Sequence, residues 1–188
     1  ATFDAETHII EARWDITENL RMNYIYGSFE TEETIVSNWT AEEPMLFGTD
    51  RPAEYEQQSH ELRFTYDAGG AFKLVAGVYD WQSEYDIRLR SWITFVVPGA
   101  VLDIPQYTHQ ETDSQAAFFE ADYSFTDSWT LTLGGRYTKD EKLTRQRGNL
   151  PADADADWSE FTPKVGLRYR INDDAMLYAT YSEGYRSG

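Results

Sequence analysis

The sequence predicts an all-β fold of antiparallel, up-and-down transmembrane β-barrel strands, about eight of them and part of a larger barrel. Three observations carry this expectation. From Asp113 to Tyr137, apolar and polar residues alternate with strict period two on both sides of a very short turn. Such alternation puts one oily and one wet face on a strand, because successive side chains point to opposite sides of a sheet. The connections then alternate short, long, short along the whole chain, and aromatic residues stand beside the short ones. Membrane barrels show this asymmetry, with short periplasmic turns, long extracellular loops and aromatic girdles at the interfaces.

The first strand is expected over roughly Glu6 to Ile16, with Ile10, Ala12, Trp14 and Ile16 on one face and Glu11, Arg13 and Asp15 on the other. Thr17-Glu18-Asn19 turns the chain, and Leu20, Met22, Tyr24 and Tyr26 continue the oily face. The acidic stretch from about Glu30 to Gln57, broken by Pro44, Gly48 and Pro52, reads as a long loop. A third strand, Ser59 to Tyr66, leads through Asp67-Ala68-Gly69-Gly70 into a fourth, about Ala71 to Tyr85. Glycine supplies the positive φ that such turns need. Alternation in the fourth strand is weaker, because Val75, Tyr79 and Trp81 fall on its polar face. A second long loop is expected from about Asp86 to Gln110. Strands five and six flank Thr126-Asp127-Ser128, and a third long loop runs from about Lys139 to Asp157. The seventh strand, about Glu160 to Arg170, tolerates Pro163 near its start, and Asn172-Asp173-Asp174 leads into the eighth from Ala175. A band about 25 Å tall, crossed by strands tilted about 40–45°, needs roughly 9–11 residues per strand.

Composition narrows the function. The net charge of −17 argues against nucleic acid, whose phosphates need a basic surface. The chain has no cysteine, so disulfides and thiolate metal sites are excluded. An aromatic fraction of 15% is too high for a disordered acidic chain. The chain has no apolar run of about 18 residues, the length a transmembrane helix needs. Mean hydropathy of −0.61 is compatible with barrel strands, since only alternate residues meet lipid.

Several blocks resemble the barrel domain of TonB-dependent outer-membrane receptors: Ser59-His60-Glu61-Leu62-Arg63-Phe64, Leu74-Val75-Ala76-Gly77-Val78-Tyr79, Leu133-Gly134-Gly135-Arg136-Tyr137-Thr138 and the run from Tyr178 to Gly188. The resemblance implies a 22-stranded barrel filled by a plug in the Gram-negative outer membrane. It also implies import of a scarce small-molecule ligand such as a ferric siderophore, driven by the TonB complex. The implied partners are outer-membrane lipid, the plug, the TonB complex and the ligand. Residues 1–188 then read as part of such a barrel, without a plug, a TonB-box segment or a closing strand. Neither catalysis nor a cofactor is expected.

Arg63, Glu120, Asp122, Arg136, Lys164 and Arg168 are expected to face the lumen, contacting plug or ligand, or pairing with one another as interior charge ladders. Trp14, Tyr66, Phe72, Phe125, Trp129 and Tyr169 are expected in a membrane girdle. Trp39, Phe47, Tyr55, Trp92, Phe95 and Tyr107 are candidates for gripping a ligand from the loops, or for packing the loops together. Asp153, Asp155 and Asp157 lack the EF-hand arrangement for calcium. His8, His60 and His109 are too scattered to suggest zinc or iron. Ser59-His60-Glu61 cannot form a relay, because neighbours on a strand point to opposite faces. Two other architectures stay open: a complete small eight-stranded barrel, and a soluble carbohydrate-binding β-sandwich.

Overall fold

The structure is a computed structural model, and it describes residues 1–40, 46–94 and 101–187. Eight strands form one antiparallel sheet in sequence order: β1 (Thr2–Thr17), β2 (Leu20–Asn38), β3 (Phe47–Asp67), β4 (Phe72–Thr94), β5 (Val101–Ser124), β6 (Trp129–Gly148), β7 (Ala152–Arg170) and β8 (Met176–Ser182). β1 and β8 are the two edges of this sheet and do not pair with each other. The complete small barrel, which requires that pairing, is therefore overturned. So is the sandwich, which requires a second sheet.

The four short turns share one device. Thr17 Oγ1 accepts from the Asn19 and Leu20 N–H groups, at 3.3 and 3.1 Å. Asp67 Oδ1 accepts from Gly69 N–H at 2.9 Å, with Gly69 at φ 69°. Thr126 Oγ1 accepts from Ser128 and Trp129, and Asn172 Oδ1 from Asp174. Short hydroxyl, carboxylate and carboxamide side chains satisfy turn N–H groups in this way, which is why they open all four turns.

Register keeps the oily face continuous. Trp14 lies opposite Met22, Met22 opposite Phe64, Phe64 opposite Ala76, Ala76 opposite Phe119, and Phe119 opposite Gly135. A slip of one residue would scatter these side chains over both faces. Instead they form one apolar wall, largely exposed: Phe119 is 45% and Leu133 46% accessible. Among the described residues, the only buried apolar ones are Ala53 and Ala116. The sheet has no core of its own.

The three expected long loops are corrected. Most of residues 30–57, 86–110 and 139–157 lies in paired strands, which run to Asn38, Thr94 and Gly148 and resume at Phe47, Val101 and Ala152. The reason is physical. Past the apolar wall polar residues fall on both faces, so the alternation that marks a strand in sequence disappears. The ladder of backbone hydrogen bonds needs no alternation and continues. Pro52 is tolerated because the β3–β4 ladder skips residues 51 and 52.

Candidate functional site on the polar face

The polar face of the sheet is built from the alternates of the oily residues. Lys164 Nζ reaches Glu120 Oε2 at 2.6 Å, although these residues stand on β7 and β5. Gly134 on β6 lies directly between them, opposite both. Having no side chain, it lets the pair close over its backbone. Asp122 Oδ1 accepts from Thr132 Oγ1 at 2.5 Å, Arg168 donates to Thr130 Oγ1 at 3.3 Å, and Arg63 pairs with Glu61. Arg136 donates to Thr138 Oγ1 at 3.1 Å, and its guanidinium carbon stands 5.4 Å from the Tyr79 ring centre and 5.9 Å from that of Phe118. Cation–π contacts of this kind hold a guanidinium flat against the wall. All six expected charged residues thus occupy the face opposite the oily wall, most of them engaged with a neighbour on that face. Asp140, 7% exposed on the same face, lies beside the Tyr185 hydroxyl, whose pKa it helps to raise, and Asn23 keeps its amide oxygen without a hydrogen-bond partner among the described residues.

Further up the same face, Phe29, Tyr55 and Tyr85 form an aromatic patch, with ring centres 6.1 Å apart in both contacts. Gln57 Oε1 accepts from the Tyr55 hydroxyl at 2.7 Å and from Trp81 Nε1 at 3.3 Å. Burial pushes the Tyr55 hydroxyl pKa upward, partly offset by Ser83. Sequence reasoning missed Phe29, Tyr85 and Trp81 as a cluster. The signal was present in β4, whose spoilt alternation marks aromatics on the polar face.

The expected loop aromatics do not converge. Trp39 stacks on Phe47 at 6.2 Å near the β2–β3 tip. Phe47 and Trp92 sit in strands rather than loops, with the Arg90 guanidinium over Trp92. Tyr55 is mid-strand in the polar-face patch just described. Tyr107 is also in a strand, and its face is the outward one, where it donates to Asp86. Phe95 lies outside the described residues. The expected girdle residues do stand beside the short turns: Tyr66 lies 6.3 Å from Phe72, Phe125 6.4 Å from Trp129, and Trp129 4.4 Å from Tyr169. Trp14 is 48% exposed next to the first turn. Asp153, Asp155 and Asp157 line the outward face of β7, where Arg147 takes up Asp153.

One apolar wall, an opposite polar wall, alternating turn lengths and no core define the class: strands of an outer-membrane β-barrel, which bury neither face against their own chain. The family follows from comparison. The model of the TonB dependent receptor-like β-barrel family matches residues 2–188, and the chain belongs to that family. Its place is the Gram-negative outer membrane. Similar folds include the ferric yersiniabactin uptake receptor FyuA from Yersinia pestis, at 15% identity and TM-score 0.80 over 94% of this chain and 27% of that one. The copper transporter OprC matches at 13% identity and TM-score 0.75 over 96% of this chain and 30% of that one. The siderophore receptor PiuA from Acinetobacter baumannii matches at 14% identity and TM-score 0.68 over 96% and 32%. The chain spans about a quarter to a third of the length of these proteins.

Proposed function

We propose that this chain forms part of the wall of a receptor that imports a scarce metal chelate, a ferric siderophore or a related complex, past a plug and with energy from a TonB complex. The observation that carries this reading is the polar face. It holds a charge pair closed over Gly134 and an aromatic patch, together with a buried amide oxygen at Asn23 that has no hydrogen-bond partner among the described residues. A wall of this kind suits a second body inside the barrel, because buried polar groups are costly without partners. Arg63, Glu120, Asp122, Arg136, Lys164 and Arg168 would meet the plug or line the path around it. Phe29, Tyr55, Trp81 and Tyr85, nearer the outer end, would offer flat surfaces to the chelate. Trp14, Tyr66, Phe72, Phe125, Trp129 and Tyr169 would form the periplasmic-side girdle, where amphipathic rings settle at the lipid boundary. The candidates Trp39, Phe47 and Trp92 would act, if at all, at the tips of the strands.

The test is fluorescence titration of the intact receptor in detergent with ferric citrate, a ferric catecholate and a ferric hydroxamate. Saturable quenching by one of them, weakened at least tenfold in Tyr55→Ala, is the expected result. Quenching by none, or equal binding by Tyr55→Ala, would overturn the reading.

A further inference from the structure

We propose that Glu84, Asp86 and His109 form a resident divalent-cation site on the outward wall of the barrel, clamping β4 to β5. The face is fixed by register. The β4–β5 pairing runs without a shift from Phe72–Tyr123 to Thr94–Val101. Glu84 and Asp86 therefore share a face with Phe72, Leu74, Ala76 and Val78, and His109 lies directly opposite Asp86. Glu84 and Asp86 come six and eight residues after Val78 along the strand (84 − 78 and 86 − 78). That places them roughly 15–20 Å past the apolar wall for a tilted strand. The site is on the wrong side of the sheet for imported cargo, so its ion is structural.

The donor set is mixed and preorganised. One ligand atom from each of the three residues lies within 4.8 Å of the others. His109 Nδ1 is 3.0 Å from Asp86 Oδ1 and 3.6 Å from Glu84 Oε1. Its other nitrogen, Nε2, is 2.9 Å from Glu111 Oε1. With Glu111 accepting the Nε2 proton, Nδ1 presents its lone pair to the two carboxylates. This carboxylate–histidine arrangement is the one that orients imidazole ligands in metal sites. Tyr107 donates to Asp86 Oδ1 and so fixes that carboxylate.

An independent observation concerns charge. Glu6, Glu30, Glu56, Glu84 and Glu111 are directly opposed in register across five adjacent strands on this outward face. Like charges directly opposite destabilise a sheet. A protonated His109 answers this row with one positive charge, whereas a divalent ion held in its place supplies two. On the same face Arg88 acts on Asp86, and Arg145, opposite His109, acts on Asp153 after Arg147; among the described residues neither makes a hydrogen bond to a carboxylate of the row. One imidazole nitrogen and two carboxylate oxygens suit a borderline cation such as Zn²⁺ better than Ca²⁺, which takes oxygen ligands. Sequence spacing hides the site, since its ligands come from two strands and contain no His pair.

The test uses the intact receptor in detergent, stripped with chelator and titrated calorimetrically with Zn²⁺ alone, with Ca²⁺ as comparator. The expected result is a saturable micromolar Zn²⁺ site, at least tenfold weaker in His109→Gln and tighter for Zn²⁺ than for Ca²⁺. Glu111 acts as a positioning residue. Glu111→Ala should weaken Zn²⁺ and shift the d–d spectrum of bound Co²⁺, and Glu111→Gln, whose amide oxygen still accepts from Nε2, should largely restore both. Glu6→Gln, at the far end of the row, should bind as the parent does. Equal Zn²⁺ binding by His109→Gln, absence of a saturable site, or a loss in Glu6→Gln as large as that in His109→Gln would each overturn the proposal. Unchanged heat-modified gel mobility confirms that the variants fold.

Discussion

Gly77 and Gly135 face opposite sides of the sheet, and the contrast between them tests how rigid the wall is. A methyl added at Gly77 would come 2.6 Å from the Leu62 carbonyl oxygen and 2.7 Å from Phe118 Cζ. The ring can swing, but the backbone oxygen belongs to the neighbouring strand and cannot move alone. The strands must separate locally, and Phe118 leaves its place beneath Arg136. Overpacking of this kind costs about 1–3 kcal/mol. Loss of glycine's freedom in the unfolded chain returns roughly 0.4–1 kcal/mol. The net for Gly77→Ala is on the order of 1–2 kcal/mol of destabilisation. At Gly135 the methyl would meet Phe161 Cζ at 2.5 Å and Cε2 at 2.7 Å, with no backbone atom among its nearest neighbours. Phe161 is 50% exposed on the outward wall, so its ring can turn away into lipid. Gly135→Ala should therefore lie within about 1 kcal/mol of the parent. The assay is the temperature at which the intact receptor in detergent loses its compact band on unboiled SDS gels. Gly77→Ala should lose it a few degrees below the parent, and Gly135→Ala close to the parent. A Gly77→Ala receptor melting with the parent, or a Gly135→Ala receptor melting below it, would refute the reasoning.

Single cysteines at Leu131 and Thr132 should separate the faces in a bilayer, against a clean background since the chain has no cysteine. A lipid-confined reagent should label 131, and a water-soluble one only 132. The Glu120–Lys164 pair, with side chains 45% and 40% exposed, should show a double-mutant coupling below about 1 kcal/mol that shrinks with salt in a receptor stripped of its interior partner. A coupling of several kcal/mol there would contradict the pairing geometry. Asp67 is held below its ordinary pKa by the Lys73 side chain and the Gly69 N–H. A depressed carboxylate pKa contributes stability above the unfolded value, near 4, and loses it as pH falls through the folded value. Gly69 amide exchange, corrected for its intrinsic pH dependence, should rise below pH 4 in the parent and be already raised at neutral pH in Asp67→Ala.

The oily wall was legible because most of its residues have a polar neighbour on at least one side. Ala76 between Val75 and Gly77 was the weakest case, and Leu131 between Thr130 and Thr132 the clearest. The four short turns were legible from Thr17, Asp67, Thr126 and Asn172. The upper halves of the strands were not. Residues such as Glu54, Tyr55 and Glu56 have polar or amphipathic surroundings on both faces, so period two carries no contrast there. Composition then imitates a loop, and Tyr55, Trp92 and Tyr107 were assigned to loops for that reason. Cross-strand sites were hidden for a related reason. Glu84 and Glu111, or Glu120 and Lys164, become neighbours only once register is known.

What stabilises such a sheet is not a core, and this bears on its function. Two buried alanines cannot offset the conformational entropy of ordering so many residues, which runs to about 1–2 kcal/mol for each backbone unit. The ladder hydrogen bonds are strong only where water does not compete for them. On the outward side, lipid removes that competition over the apolar wall. On the opposite side, the proposed interior body would answer the orphaned amide oxygen of Asn23. Past the apolar wall, His8 and His109 contact Glu6 and Glu111 of the outward carboxylate row, and Arg88 acts on the neighbouring Asp86. The apolar wall suits lipid, the polar face the proposed interior protein body, and the outward row the proposed cation. A free-standing sheet would meet none of these demands. The isolated chain in water should therefore self-associate through its open edges and apolar wall. A monomer that melts cooperatively without detergent would show that the backbone ladder alone suffices, and would remove the physical basis for assigning partners to either face.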